Sequence, residues 1–164
     1  MVNDEAAVVN KMKERSMLNA EKARIKPDKV FDRSNALYVK MVPRKGRGVF
    51  ANVRFKAGAI IDRSPSWAFD DAAAKLIDST GVLEYYFVRQ DRYLQGDPRT
   101  GYVVFGWSSL MNHSSNPTAR KVLTDEESGA WLSIIAINDI EVDEEITHCY
   151  INMSAYPPHI NFID

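Results

Sequence analysis

The stretch Trp107-Ser108-Ser109-Leu110-Met111-Asn112-His113-Ser114-Ser115-Asn116-Pro117 sets an amide, an imidazole and a hydroxyl side by side just after an apolar run, Tyr102 to Trp107. Asn116-Pro117 stops any helix and turns the chain. A polar knot that follows a buried strand can read several polar edges of one small ligand, although an ordinary polar turn has the same composition. Two further stretches bear on that choice. Asp143-Glu144-Glu145-Ile146-Thr147-His148-Cys149-Tyr150 lies downstream, and Lys45-Gly46-Arg47-Gly48-Val49-Phe50-Ala51 lies upstream.

The totals suit one domain. The 164 residues are 45% hydrophobic and 26% charged, enough to bury a substantial core. A formal net charge of -1 argues against a general nucleic-acid binder. Charge is unevenly spread: residues 34–120 carry 12 Lys and Arg against 7 Asp and Glu, while residues 121–164 carry 1 against 9. That acidic final third is either a set of solvated faces or a rim that attracts a basic peptide. Cys149 is the only cysteine, so no intrachain disulfide forms, which fits a reducing compartment. No run approaches the roughly 18 apolar residues of a membrane span, and the first residues lack a basic-then-apolar signal. These features predict an intracellular protein, cytoplasmic or nuclear.

Periodicity predicts many short strands and little helix. Residues 4–24 read as an amphipathic helix, with Ala7, Val8, Met12 and Arg15 on one side, Leu18 continuing it and only a thin apolar stripe, and residues 26–35 as a connector. Strands are expected over 37–42, 49–53, 59–62, 102–107 and 146–150, and a hairpin over 118–123 and 131–137 across the polar loop 124–129. Residues 70–79 read as the clearest internal helix, capped by Asp70 or Asp71, with Leu76 and Ile77 as its apolar face. Residues 82–88 are a strand or a short buried segment, and 91–100 a loop around Gly96-Asp97-Pro98. The fold class is therefore mostly β with minor α.

Taken in order, Gly46-x-Gly48 before an apolar run, Asn112-His113-Ser114 with a nearby Asn-Pro, and Glu144-Glu145-Ile146-Thr147-x-x-Tyr150 resemble the SET domain of protein lysine methyltransferases, closest to the short stand-alone type of viruses and bacteria. The resemblance spans roughly residues 36–150. It implies the β-clip fold of several small sheets, with a threaded, pseudoknot-like C-terminal segment that brings the Asn112 and Tyr150 regions together, against the usual rule of unknotted chains. On this division residues 1–35 are an N-terminal helical extension and connector, and residues 151–164 an apolar tail, through Tyr156 and Phe162, that covers the lysine channel.

The resemblance also implies a chemistry. A lysine amine of a protein substrate attacks the methyl group of S-adenosyl-L-methionine; histone methylation is the family habit, so a histone-like basic tail is one expected partner. The cofactor carries the hard chemistry, and the protein aligns the reactants, an effect worth up to about 7–11 kcal/mol. The amine must lose its proton, since a free lysine has a pKa of about 10.4. An apolar, aromatic channel beside a sulfonium lowers that value and tolerates a residual cation. By resemblance Lys45, Gly46, Arg47 and Gly48 lie along the cofactor, Asn112 contacts its amino-acid end, and His113 packs near its adenine. Tyr150 matches the family's catalytic tyrosine and also borders the cofactor. Its phenol is a poor base at neutral pH, so it reads as an orienter. Tyr86 is the next candidate for the lysine channel, with the adjacent Tyr85 as its rival, and Trp107 reads as core.

The sequence departs from the family in places. Ser115 replaces the usual cysteine, no cysteine-rich zinc segment follows, and Ser108 and Ile151 stand where glycine is common, which narrows the pocket. A non-catalytic SET-fold module that binds protein or senses cofactor is the alternative reading. No metal site is expected, because His113, His148, His159 and Cys149 lack zinc-motif spacing. A Cys149–His148 nucleophile pair fails because neighbouring strand residues face opposite ways, whereas Cys149 with His113 stays open. Neither direct nucleic-acid binding nor a membrane is expected; a homodimer through the N-terminal helix or the tail is a third reading left open.

Overall fold

Between Val42 and Gly46 the chain reverses within three residues. Arg44 (φ 65°) and Gly46 (φ 79°) both adopt the left-handed region, and Lys45 N–H donates to Val42 O at 3.1 Å. Glycine takes that conformation without the Cβ penalty. The turn locks strands β2 (Leu37–Val42) and β3 (Gly46–Ala51) in an antiparallel register running from Leu37 opposite Ala51 to Val42 opposite Gly46. Two-residue strands flank the pair: β1 (Val30–Phe31) pairs with β2, and β9 (Glu145–Ile146) pairs with β3. The structure is a computed structural model and describes residues 30–31, 35–89, 92, 95–97, 99–151, 153, 156 and 162. The helix expected over 4–24 lies outside the described residues, as does most of the tail.

The second sheet has five strands in the order β5-β6-β4-β8-β7. Its centre is β4 (Ile60–Asp70), flanked by β6 (Arg99–Val104) and β8 (Gly129–Ala136); the edges are β5 (Tyr86–Val88) and β7 (Ala119–Glu126). The expected hairpin is present as β7 and β8, longer than its pattern implied and closed between Glu126 and Gly129. The strand expected over 59–62 instead runs on to Asp70, through Pro65. Proline is tolerated in this central strand because its carbonyl, and hence its missing N–H, faces the side where β6 has ended. Phe105 N–H, just past β6, donates to Pro65 O at 3.0 Å.

Other expectations are corrected. The helix is Asp71–Ile77, with the Asp70 carboxylate accepting Ala73 N–H at 2.9 Å as its cap. It buries no residue, and Leu76 is 74% exposed, so its expected apolar face is not a core face. Residues 82–88 divide into a 3-10 helix, Gly81–Tyr85, capped by Thr80, and then β5. The run 102–107 ends as strand at Val104 and turns into a second 3-10 helix, Trp107–Leu110. Trp107 is partly buried against the core. Two residues of the expected connector, Val30 and Phe31, are strand.

Between the sheets lies a core that includes Leu37, Val49, Tyr102, Leu132, Ile134 and Ile146, each at most 2% exposed. Burying an aliphatic side chain of this size contributes about 1.5–3 kcal/mol. The larger sheet curls strongly. Its edge strands β5 and β7 approach each other: Lys121 Nζ lies 5.6 Å from the Phe87 ring, and Arg89, next after β5, binds Asp125 of β7 at 2.8 Å. The His148 ring enters this gap and stacks on Phe87 at 5.4 Å.

Candidate active site

The last strand is shorter than expected because Thr147 onward pairs with a different segment. Ala119 N–H donates to Thr147 O (3.0 Å), His148 N–H to Asn112 O (3.1 Å), and Ser114 N–H to His148 O (3.3 Å). His113 and His148 form a parallel bridge. These bonds join the Asn112 knot to the segment ending in Tyr150. Tyr150 N–H then donates to His113 Nδ1 at 3.0 Å, which places that ring's proton on Nε2. The Tyr150 hydroxyl donates to Met111 O at 2.9 Å. Its ring lies 4.9 Å from His148 and 5.5 Å from His113.

The Asn112 amide donates to Glu145 Oε1 at 2.7 Å, so the knot is also tied to β9. Gly48 of β3 faces this bond closely. A Cβ there would sit 2.6 Å from Glu145 Oε1 and 2.9 Å from Asn112 Nδ2. Three distant pieces of chain thus meet through one amide–carboxylate bond.

Two cavities adjoin at Tyr150. The larger, about 270 Å³, is bordered by Lys45, Gly46, Arg47, Asn112, His113 and Tyr150, with Arg44 and Phe162 also on its wall. Seven of the eight sequence-derived site residues therefore touch one of the two cavities; Gly48 lies behind Asn112 instead. The smaller, about 190 Å³, is bordered by Tyr86, Phe87, Leu83, Ser108, Lys121 and Ile151, again with Tyr150. Glu84, Tyr85, Ser109 and Tyr156 border both. Tyr86 turns its hydroxyl to Asp78 at 2.8 Å, and Tyr85 lies on both walls, so the structure uses the two neighbours differently. The Cys149–His113 pair does not form: Cys149 Sγ turns to Tyr150 O at 3.5 Å, while His113 Nδ1 accepts the Tyr150 amide.

Burial sets the local electrostatics. It pushes the Tyr150 phenol well above the ordinary tyrosine value, and the Tyr86 phenol likewise, helped there by Asp78. Both stay protonated at neutral pH. Burial, with Lys121 adding to it, holds His148 down at about 3, so this ring is neutral. Lys121 itself is lowered by burial to about 8. Its amine donates to Cys149 O at 3.2 Å. Sequence reading missed Lys121, yet a signal existed: with period two, Ala119, Lys121 and Leu123 share the inward face of β7, and Ala119 is fully buried.

Comparison with known proteins bears on the family and the fold. The SET domain family model matches residues 46–151, and the chain belongs to that family. A Plasmodium falciparum structure described as a "putative histone methyltransferase" superposes with a TM-score of 0.54 at 20% identity, covering 71% of this chain and 94% of that one. The Neurospora SET domain protein DIM-5, a histone lysine methyltransferase, gives 0.56 at 19% identity, covering 78% of this chain and 56% of that one. At such identities the two share the fold: mostly β, with curled antiparallel sheets and little helix. A sequence comparison with curated proteins finds no match. Membership supports a methyltransferase-type function at the level of the family. No helix among the described residues is long and apolar enough to cross a membrane.

Proposed function

We propose that this chain transfers a methyl group from S-adenosyl-L-methionine to the side-chain amine of lysine in a protein, with a histone-like basic segment as the preferred substrate class. The observation that carries the reading is the position of Tyr150, a residue that lines both cavities while its hydroxyl is held by Met111 O. One hollow then serves the cofactor and the other the acceptor, with the phenol between them.

The larger cavity fits the cofactor by its donor set. Arg44, Lys45 and Arg47 offer cations to a carboxylate, Asn112 an amide, and Phe162 and His113 flat rings to a purine. Gly48 matters indirectly, since any side chain there would displace Asn112. When bound, S-adenosyl-L-methionine supplies a methyl group already activated on a sulfonium.

The smaller cavity suits an alkylamine. Phe87, Tyr86 and Leu83 desolvate its stem, which disfavours the ammonium form. Asp78 and Glu84 on the same wall attract a cation to the site. Tyr150 holds position rather than moving a proton, because burial keeps its phenol protonated. Its bond to Met111 O fixes the ring between the reactants, and misplacing reacting groups by about 1 Å can cost about 10²-fold. The tail belongs to this reading as a cover, with Tyr156 on both walls and Phe162 on the larger one.

The test combines calorimetry with S-adenosyl-L-methionine and labelled transfer to core histones. Binding and transfer are expected, and Tyr150→Phe should lower kcat about 10²-fold with cofactor affinity nearly kept. Absence of both binding and transfer refutes the reading. Binding without transfer favours a cofactor-sensing module, a second reading motivated by Ser108 and Ile151 on the acceptor wall.

A further inference from the structure

The acceptor cavity already holds an amine. Lys121 projects from β7 into the hollow bordered by Tyr86, Phe87 and Tyr150, and its Nζ is anchored on the carbonyl of Cys149, the residue before Tyr150. Its Nζ lies 5.6 Å from the centre of the Phe87 ring. Among the described residues it has no ion-pair partner; the ion pairs use Arg54, Lys56, Arg63, Arg89 and Arg92.

That is an expensive way to fill space. A methionine of similar length would pack on Phe87 and Leu83 without desolvating a cation. Asp78 and Glu84 line the same hollow but neither forms an ion pair with Lys121; a nucleophilic amine requires that freedom, since only its uncharged form carries a lone pair. Burial takes this amine down to about 8, so a useful fraction is uncharged near neutrality.

We propose that Lys121 is itself a methyl acceptor of this site, so that the chain methylates its own β7 strand in cis. The inference rests on the methyltransferase reading above and names a substrate for it. In the step, the Lys121 Nζ lone pair forms an N–C bond to the methyl group of S-adenosyl-L-methionine. The methyl–sulfur bond breaks, its electron pair stays on sulfur, and a neutral thioether leaves. The secondary ammonium so formed sheds one proton to water. Four rotatable bonds let Nζ leave the Cys149 carbonyl for the neighbouring Tyr150 without moving the strand. A methyl added there would fill part of the 190 Å³ hollow and alter its use by other lysines.

Two measurements on the full chain test this. Trace acylation with acetic anhydride, without cofactor, reports the amine directly: Lys121 labelling should level off about two pH units below a free lysine. A Lys121 that labels like a free lysine, or not at all up to pH 10, overturns the proposal. The second measurement incubates the chain alone with S-adenosyl-L-methionine, follows intact mass and maps the modified peptide. One methyl at Lys121 is expected, at a rate per chain unchanged over a twentyfold dilution and lost in Lys121→Arg. Lys121→Met replaces that variant if near-ultraviolet dichroism shows it misfolded. Cofactor binding and core histone methylation are measured alongside. An unmodified Lys121 in a chain that binds cofactor and methylates histones overturns this inference alone. A chain that binds no cofactor overturns the function with it, and a rate that rises with protein concentration overturns the cis assignment.

Discussion

Lys121 costs stability in the very range where its chemistry would operate. Its folded value of about 8 lies below the value of about 10.4 for a free lysine, so the unfolded chain holds more protons between them. Stability attributable to this residue therefore rises with pH from about 8 to about 10.4 and is at its lowest below 8. Lys121→Met should stabilise the protein at pH 7 by about 2 kcal/mol, and the gain should shrink on going to pH 10. Urea unfolding at the two values checks it; an equal gain at both would assign the effect to packing alone. The residue was readable as inward-facing, but a polar side chain in an apolar register invites assignment to the surface. Tyr150, Asn112 and His113 were readable for another reason: each sits in a short motif whose residue types matter together. Glu145 was part of the same motif, yet its bond to Asn112 crosses 33 residues, and no local pattern encodes a partner at that distance.

At the scale of elements, the β2–β3 hairpin does two jobs. Its turn end presents Lys45, Gly46 and Arg47 to the larger cavity, and Gly48, the third residue of β3, lets the Asn112 knot approach. Gly48→Ala puts a methyl 2.6–2.9 Å from Glu145 Oε1, Val42 Cγ2 and Asn112 Nδ2. Crowding of this kind costs about 1–3 kcal/mol, and here it also parts Asn112 from Glu145. The expected result is a lower Tm together with cofactor affinity reduced at least tenfold by calorimetry. A fall in Tm with affinity intact would show that the amide–carboxylate bond is only structural. Turn chemistry made this hairpin legible, as it did the β7–β8 pair. The central strand β4 was not, because Pro65 and the polar residues Asp62, Arg63, Ser64 and Ser66 break its alternation, and only neighbouring strands on both sides define it. The helix was located by its cap, while the burial of its face was misjudged because periodicity does not say which elements lie opposite.

Across the whole molecule, the segment from Glu145 to Tyr150 ties the small sheet, the Asn112 knot and the gap between β5 and β7 together. Its buried imidazole makes the assembly sensitive to acid. His148 titrates at about 3 when folded against about 6.5 when free, chiefly through burial, with the Lys121 amine facing it as a cation and the His113 ring close by. The unfolded chain therefore binds the extra proton between those values, and stability falls as pH drops below about 6.5, by up to about 1.4 kcal/mol per pH unit. His148→Phe keeps a flat ring against Phe87 and should flatten that slope between pH 6 and 4 in denaturant titrations. An unchanged slope would move the acid sensitivity to other groups.

The side-chain bridges between the two edges of the curled sheet have a consequence for life at high concentration. A five-stranded sheet ordinarily offers two flanks of unpaired amides and carbonyls as templates for a foreign strand. Here one flank is latched to the other: Asp125 is gripped by both Arg89 and Arg92, and His148 plugs the seam. A second molecule that paired with either flank would have to part these side-chain bridges, so the curvature that shapes the two hollows also sets an obstacle to strand addition at the seam.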